Sequence, residues 1–323
     1  MLLLALAAWV QGAIAQRTVR DLTLSDKSML WIRGSETDTT ILDPNRMLVS
    51  NGRIFLTDPQ GPAVVGLDAR TGRTIWRYSK RGSGPGEFRA PALASWHPQG
   101  VVVADNDTHR LYLFSTDGAL AAEQAVPMGQ FVAGLCSFAN GDVLLYVPAP
   151  PSSALITVRL GSRVTNRFPF PFDPSSPNLM AHALDLASVP ANKYGCVASK
   201  KTEDGIATLN PESSPVVGKF VERLEQRAYK PPAQIRDTSD IPIPFSLRTG
   251  FDGTSAYVWF GGKSCASRCI DFYSMPALRY SYSLRIQGKT GIGIRDLAID
   301  GRVLYLLGSR DGFPVLAAFT IPK

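Results

Sequence analysis

Apolar residues along this chain come in short runs, each closed by a cluster of glycine, proline, asparagine or aspartate. The clearest stretch is residues 81–118. A glycine-rich turn leads to an apolar run, a tight turn at Pro98-Gln99-Gly100, the run Val101 to Ala104, an Asp/Asn turn and the run Leu111 to Phe114 before Asp117-Gly118. Short β-branched and aromatic runs bounded by turn formers are strands, so this stretch predicts one up-and-down sheet of about four strands. Val101, Val103, Leu111 and Leu113 are expected to alternate with their neighbours, as a strand packed between sheets requires. Asp105, Asn106 and Asp107 are expected to hydrogen-bond the backbone of their own turn.

The pattern recurs. Comparable turns begin near positions 51, 98, 140, 192, 252 and 300, at intervals of roughly 42 to 60 residues, the spacing of four-stranded repeat units. The units run from Met47 to Tyr78, over residues 81–118, from Phe131 to Phe168, from Met180 to about Leu224, from Ser246 to about Ile286 and from Ile294 to Ile321. In the fourth, Val217, Phe220, Val221 and Leu224 have helical spacing, but a closing strand is needed there and a strand is expected. Before the first unit, Thr18 to Leu24 alternates, and residues 34–45 form a polar link. Residues 228–245 hold four prolines, which central strands exclude, and are the longest irregular connection.

The segment PQGVVVADNDTHRLYLFSTDG resembles the NHL repeat, and the preceding GSGPGEFRAP resembles the loop joining successive blades of NHL-like propellers. The resemblance covers about 38 residues and implies an all-β fold, a six-bladed β-propeller closed by an N-terminal strand in the last blade. Thr18 to Leu24 is assigned that closing role. The segment GLDARTGRTIW resembles the repeat of quinoprotein-type propellers, with Asp68, Thr71, Gly72 and Trp76 supplying a single copy. One copy does not furnish the ring of ligands a quinone cofactor needs. Asp68 and Gly72 are expected to make a hairpin turn and Trp76 to pack between blades.

Composition refines this picture. The first fifteen residues, MLLLALAAWVQGAIA, form a short apolar segment ending in a small-x-small pattern. They read as a signal peptide cleaved after Ala15, leaving residues 16–323 as one propeller domain, secreted or periplasmic, with no integral membrane span. An exported chain can carry disulfides. Cys265 and Cys269 are the first candidates for a local pair, while Cys136 and Cys196 are either buried thiols or a cross-blade pair. A net charge of +7 without a dense basic run points to an anionic small molecule, glycan or protein partner rather than nucleic acid. The chain is expected to be a monomer.

Candidate chemistry is sparse. GSGPG leads into a strand, so it is read as a tight blade connection and not as a phosphate cradle at a helix N-terminus. The NHL-like resemblance brings two catalytic precedents, a zinc-dependent lyase acting on hydroxyglycine peptides and calcium-dependent lactonases, both with the metal on the axis. Of three histidines, His109 belongs to the repeat turn. His97 and His182 alone do not make a zinc site. No metal or other cofactor is predicted; oxygen ligands are plentiful enough to leave calcium open, and no Gly-x-Ser-x-Gly nucleophile motif occurs in a suitable setting. Blade alignment places Arg89, His182, Arg248 and Arg295 at the channel mouth, where converging guanidinium groups would hold an anion. The leading expectation is therefore a ligand-binding or protein-interaction module, more a binder than an enzyme. The alternative is a metal-dependent hydrolase or lyase.

Overall fold

The computed structural model describes residues 18–38, 42–148, 153–162, 165–172, 184–189, 195–201, 204–220, 246–260, 269–288 and 290–322. The leader, His182, Cys265 and the connection at 228–245 lie outside the described residues. Two strands come first, β1 (Val19–Thr23) and β2 (Met29–Arg33). Blade one is β3 (Arg46–Ser50), β4 (Arg53–Asp58), β5 (Ala63–Asp68) and β6 (Thr74–Tyr78). Blade two is β7 (Pro91–His97), β8 (Gly100–Asp105), β9 (Arg110–Phe114) and β10 (Leu120–Ala125). Blade three is β11 (Gly134–Ser137), β12 (Asp142–Val147), β13 (Ala154–Arg159) and β14 (Thr165–Phe168). Blade four is β15 (Leu184–Ser188), β16 (Cys196–Lys200), β17 (Ile206–Asn210) and β18 (Ser213–Gly218). Blade five holds β19 (Ser246–Phe251), β20 (Ser255–Phe260), β21 (Cys269–Ser274) and β22 (Arg279–Gln287), and blade six β23 (Gly293–Asp300), β24 (Val303–Arg310) and β25 (Phe313–Thr320). Six sheets around one axis make the chain a six-bladed β-propeller.

The core is divided among the seams between blades. Among the described residues six hydrophobic clusters are present, one for each pair of neighbours around the ring, including the pair formed by blades six and one. Blade two shows how the sequence encodes this. Val101 and Val103 face Phe55 and Phe88 at the seam with blade one, while Val102 and Ala104 face Val132 and Val143 at the seam with blade three. Alternation is present, but both faces are covered, so Val101 to Ala104 is buried throughout. Outer strands face solvent on one side, and β6 and β18 carry mostly exposed residues. The strand expected near 217 is β18; beyond it, Phe220 packs edge-on against Phe260 at 4.9 Å.

The closing strand is not the one the alternation suggested. β2 pairs antiparallel with β25 and completes blade six, with Met29 opposite Phe319 and Arg33 opposite Leu316. Thr18 to Leu24 lies one blade earlier. β1 adds to β22 as a parallel fifth strand of blade five, pairing Val19 with Ser283 through Thr23 with Gln287. Leu22 and Leu24 are buried in the seam between blades five and six, and Arg285 donates to both oxygens of Asp21 at 2.7 and 3.0 Å. The two N-terminal strands thus strap adjacent blades together. Trp31 Nε1 extends the strap to blade one by donating to Ala69 O at 3.2 Å.

Two aspartates organise the loops entering blades one and two. Asp105 accepts four backbone N–H groups, from Asp107 and Thr108 in its own turn and from Arg89 and Ala90 before β7. Asp58 repeats this with Gln60, Gly61, Leu42 and Asp43. Each carboxylate ties the end of a second strand to the start of its first, which fixes where the inner strands begin. Asn106 reaches instead to the next blade, exchanging two hydrogen bonds with the Val132 backbone. Trp76 sits between Phe55 and Phe114, with Nε1 donating to Thr116 O at 3.0 Å.

Cys136 and Cys196 form a disulfide between β11 and β16, with Cα atoms 6.2 Å apart, so the cross-blade alternative is the observed one. Cys269, at the start of β21, is also disulfide-bonded.

Candidate functional site

The first strand of every blade lines the axis with a free edge, so its inward backbone groups have no ladder partner. Leaving them dry and unpaired would be costly, and side chains from neighbouring blades fill the role. The Met47 amide donates to Asp296 Oδ2 at 2.8 Å, the Thr249 amide to Asp185 Oδ2 at 2.6 Å, and the Ile299 amide to Tyr257 Oη at 3.1 Å. Near the far end of these strands Ser188 Oγ accepts the Ser137 amide hydrogen at 2.8 Å and shares a 2.5 Å hydrogen bond with Ser95 Oγ. That serine pair joins blades two and four directly across the edge of blade three, pinching the axis.

All six inner strands begin on one face, called here the leading face. Charged residues gather there. Arg46, the first residue of β3, places Nη2 3.4 Å from Oδ1 of Asp185 on the opposite blade. Arg248 on β19 places Nε 3.4 Å from Asp296 Oδ1 and donates through Nη2 to Met47 O at 2.9 Å. Lys201 follows β16, which returns to the same face, and its charge couples to Asp185, Arg46, Arg248 and Asp296. Among the described residues three cations therefore surround two carboxylates.

The electrostatics follow from that ratio. Burial pushes the Asp185 carboxyl up, but Arg46, Lys201, Arg248 and the Thr249 amide outweigh it and the net direction is down. Burial lowers the Lys201 ammonium; Asp185 opposes this, while Arg46 and Arg248 add to it, and the net direction is down. Arg248 is depressed by burial but held up by Asp296 and Asp185, with a net rise. Burial raises the Tyr257 phenol, against a smaller pull from Arg248, which keeps it protonated as a partner for Ile299.

Below this cluster the inner strands turn apolar side chains toward a small cavity. Leu48, Leu186, Phe251 and Ile299 leave a cavity of about 40 Å³, room for a few waters and far short of the roughly 300 Å³ at which small-ligand pockets begin. Among the described residues no three His, Cys, Asp or Glu side chains group as metal ligands. No helix among them is long and apolar enough to cross a membrane.

Of the sequence-predicted mouth residues, Arg248 is built into the axial cluster. Arg295 stands beside it, about half exposed and paired with Asp43. Arg89 is exposed at the start of blade two, its backbone held by Asp105. His182 lies outside the described residues. Arg46, Asp185, Lys201 and Asp296 were not foreseen; each sits at the leading end of an inner strand or just after a second strand, a position blade alignment supplies. His97 is buried 4% exposed at the opposite end of β7, with Nδ1 accepting the Gln99 amide hydrogen and Nε2 donating to Gly141 O at 3.1 Å. In GSGPG, the Gly84 and Gly86 amides donate to Glu87 and Glu123 at 2.7 and 2.6 Å, so the chain's own carboxylates occupy that loop.

The family described as outer membrane protein assembly factor BamB matches residues 11–139, under half of the chain, a stretch that includes blades one and two. No curated protein matches. Among solved structures, the chain is similar to a protein described as exported from Bacteroides fragilis NCTC 9343, at 12% identity over 95% of this chain and 100% of that one, TM-score 0.54. It is similar to a catalytically inactive virginiamycin B lyase from Staphylococcus aureus, at 12% identity over 90% and 99%, TM-score 0.52. It is also similar to the Pan2 WD40 domain of Neurospora crassa, at 10% identity over 94% and 99%, TM-score 0.51. At such identities these likenesses establish the propeller fold and leave activity to be argued from the site.

Proposed function

We propose that this chain is an extracytoplasmic interaction module that holds an acidic segment of a partner against the leading face of its propeller. One observation carries the reading: in the axial cluster of that face Arg46, Lys201 and Arg248 outnumber Asp185 and Asp296 among the described residues, over a cavity of about 40 Å³. A partner is met on the surface, with Arg89 and Arg295 around the rim. Surplus positive charge above a low-dielectric core attracts and orients acidic groups.

Export is supported by the cross-blade disulfide, a bond that persists in oxidising compartments. It is further supported by the leader pattern of residues 1–15 and by the similarity to a protein described as exported. The match to an outer membrane protein assembly factor fits an interaction role. The turn chemistry of blade two supports an NHL-type repeat as the unit from which the ring is built.

The test is fluorescence anisotropy of a labelled Glu-rich decapeptide titrated with the mature chain at 50 and 200 mM salt. Saturable binding that weakens with salt, and by about ten-fold in Arg89→Glu and Lys201→Met, is expected, since each lost charge contact is worth about 1–2 kcal/mol. Absence of binding, or binding indifferent to both substitutions, would remove the proposal. Metal-dependent turnover of lactones or peptides would replace it with the hydrolase or lyase reading.

A further inference from the structure

A second feature lies on the outer rim, where the closing strand β2 meets blade one. Arg33, Thr37, Asp38, Gly72, Arg73 and Thr74 line a cleft of about 440 Å³, within the range of small-ligand sites. Two arginines from different elements line it, Arg33 at the end of β2 and Arg73 after the turn that follows β5. Among the described residues neither has an ion-pair or hydrogen-bond partner for its guanidinium. Among the described residues the one carboxylate in the lining, Asp38, accepts the Gly34 amide hydrogen at 3.2 Å.

Both arginines stand on fixed mounts. Asp68 Oδ1 accepts from the Thr71 amide and hydroxyl at 2.8 Å each, and the Asp68 amide donates to Arg73 O at 2.9 Å, which locks the turn carrying Arg73. Gly72 has φ +68°, and a Cβ there would lie 2.7 Å from the Trp31 ring and 3.0 Å from Arg33 Cγ. The Arg33 stem and the Trp31 ring therefore rest directly on the turn backbone. Glycine at that position is what lets the closing strand approach so near.

We propose that this cleft binds a phosphate group, free or esterified to a sugar, bridged between Arg33 and Arg73. Planar guanidinium forks match phosphate oxygens in pairs, and the Thr37 and Thr74 hydroxyls suit the polar body of a sugar. Because Arg33 belongs to the strand that seals the ring and Arg73 to the first blade, a bound phosphate ties the closure seam. Ligand binding then raises the thermal midpoint, as binding to the folded state alone must.

The experiment is calorimetric titration and thermal unfolding of the mature chain with inorganic phosphate, glucose 6-phosphate and glucose at constant ionic strength. Saturable binding of a phosphate-bearing ligand with a midpoint rise of a few degrees is expected, and no response to glucose. Arg33→Gln and Arg73→Gln should each weaken binding at least ten-fold and abolish the rise, while Arg279→Gln, on blade five, should retain both. Tighter binding of glucose 6-phosphate than of phosphate assigns the site to the ester; equal affinity assigns it to the free ion. No saturable binding, or binding unchanged in both variants, overturns the proposal.

Discussion

Arg46 and Asp185 stand 139 residues apart in sequence and on opposite blades, yet Arg46 Nη2 lies 3.4 Å from Asp185 Oδ1. The pair is a tie rod across the ring. Asp185 is held at its other oxygen by the Thr249 amide, so one carboxylate connects blades one, four and five. Asp185→Asn keeps the shape and an acceptor but removes the charge, and unfolding in denaturant should show a loss of about 2–3 kcal/mol, since Arg46 and Lys201 then remain without their counterion. The Asp185 carboxyl is depressed in the folded state, so its stabilisation is complete above about pH 4 and drains away as pH falls through the lowered value. The difference between wild type and variant should shrink in that acid range. A difference that does not change with pH would contradict the assignment.

His97 gives a second pH dependence. Burial lowers its pKa and the Gly141 carbonyl only partly opposes this, so the folded state favours the neutral ring with its proton on Nε2. The stabilisation it provides is complete above about pH 6.5 and is lost as pH falls through the depressed value. Stability curves for wild type and His97→Gln from pH 8 to 5 should converge toward the acid end. Parallel curves would mean that the ring titrates equally in both states.

The two N-terminal strands make different demands. Removing residues through Leu24 takes away β1, with Leu22 and Leu24 from the seam between blades five and six, but leaves β2 on β25. That truncation should fold with a lowered midpoint. Arg33→Pro, opposite Leu316, instead removes a ladder hydrogen bond from the closing strand and should abolish cooperative unfolding in calorimetry. Equal effects of the two changes would contradict the assignment of closure to β2.

The disulfide between Cys136 and Cys196 closes a loop of sequence separation 60, for which chain-entropy reasoning gives about 4 kcal/mol. Cys136→Ala with Cys196→Ala should lower the denaturant midpoint accordingly, and reductant should have little further effect at this pair. An unchanged midpoint would show that the seam between blades three and four holds without it.

Local turn chemistry made much of the ring legible. Blade two announces itself because Pro98, Gly100, Asp105 and Gly118 fix its turns within a few residues of one another, and the runs between them have only one way to pair. Closure was less legible: Thr18 to Leu24 reads as a strand and is given the closing role, whereas Met29 to Arg33, which meets β25, shows no clear alternation, and the pairing is decided by edges far away in sequence. The parallel seat on β22 is decided by Leu22 and Leu24 finding room beside Leu284 and Ile286, which no local pattern records. The same holds for Cys136 and Cys196, whose pairing depends on blades three and four being neighbours. At the mouth, Arg248 and Arg295 could be placed from strand starts alone. Their partners could not, because Asp296 meets Met47 and Asp185 meets Arg46 only once the ring is shut.

The account rests on inner-strand amides held by the chain's own side chains and kept from exchange with solvent. Native-state hydrogen exchange at the Met47, Ser137, Thr249 and Leu297 amides, bound respectively to Asp296, Ser188, Asp185 and Asp296, tests this most directly. All four are expected to exchange only through global unfolding, with protection near that of the central strands. Exchange at the rate of a solvent-exposed turn amide would show an open, solvated channel and contradict the account.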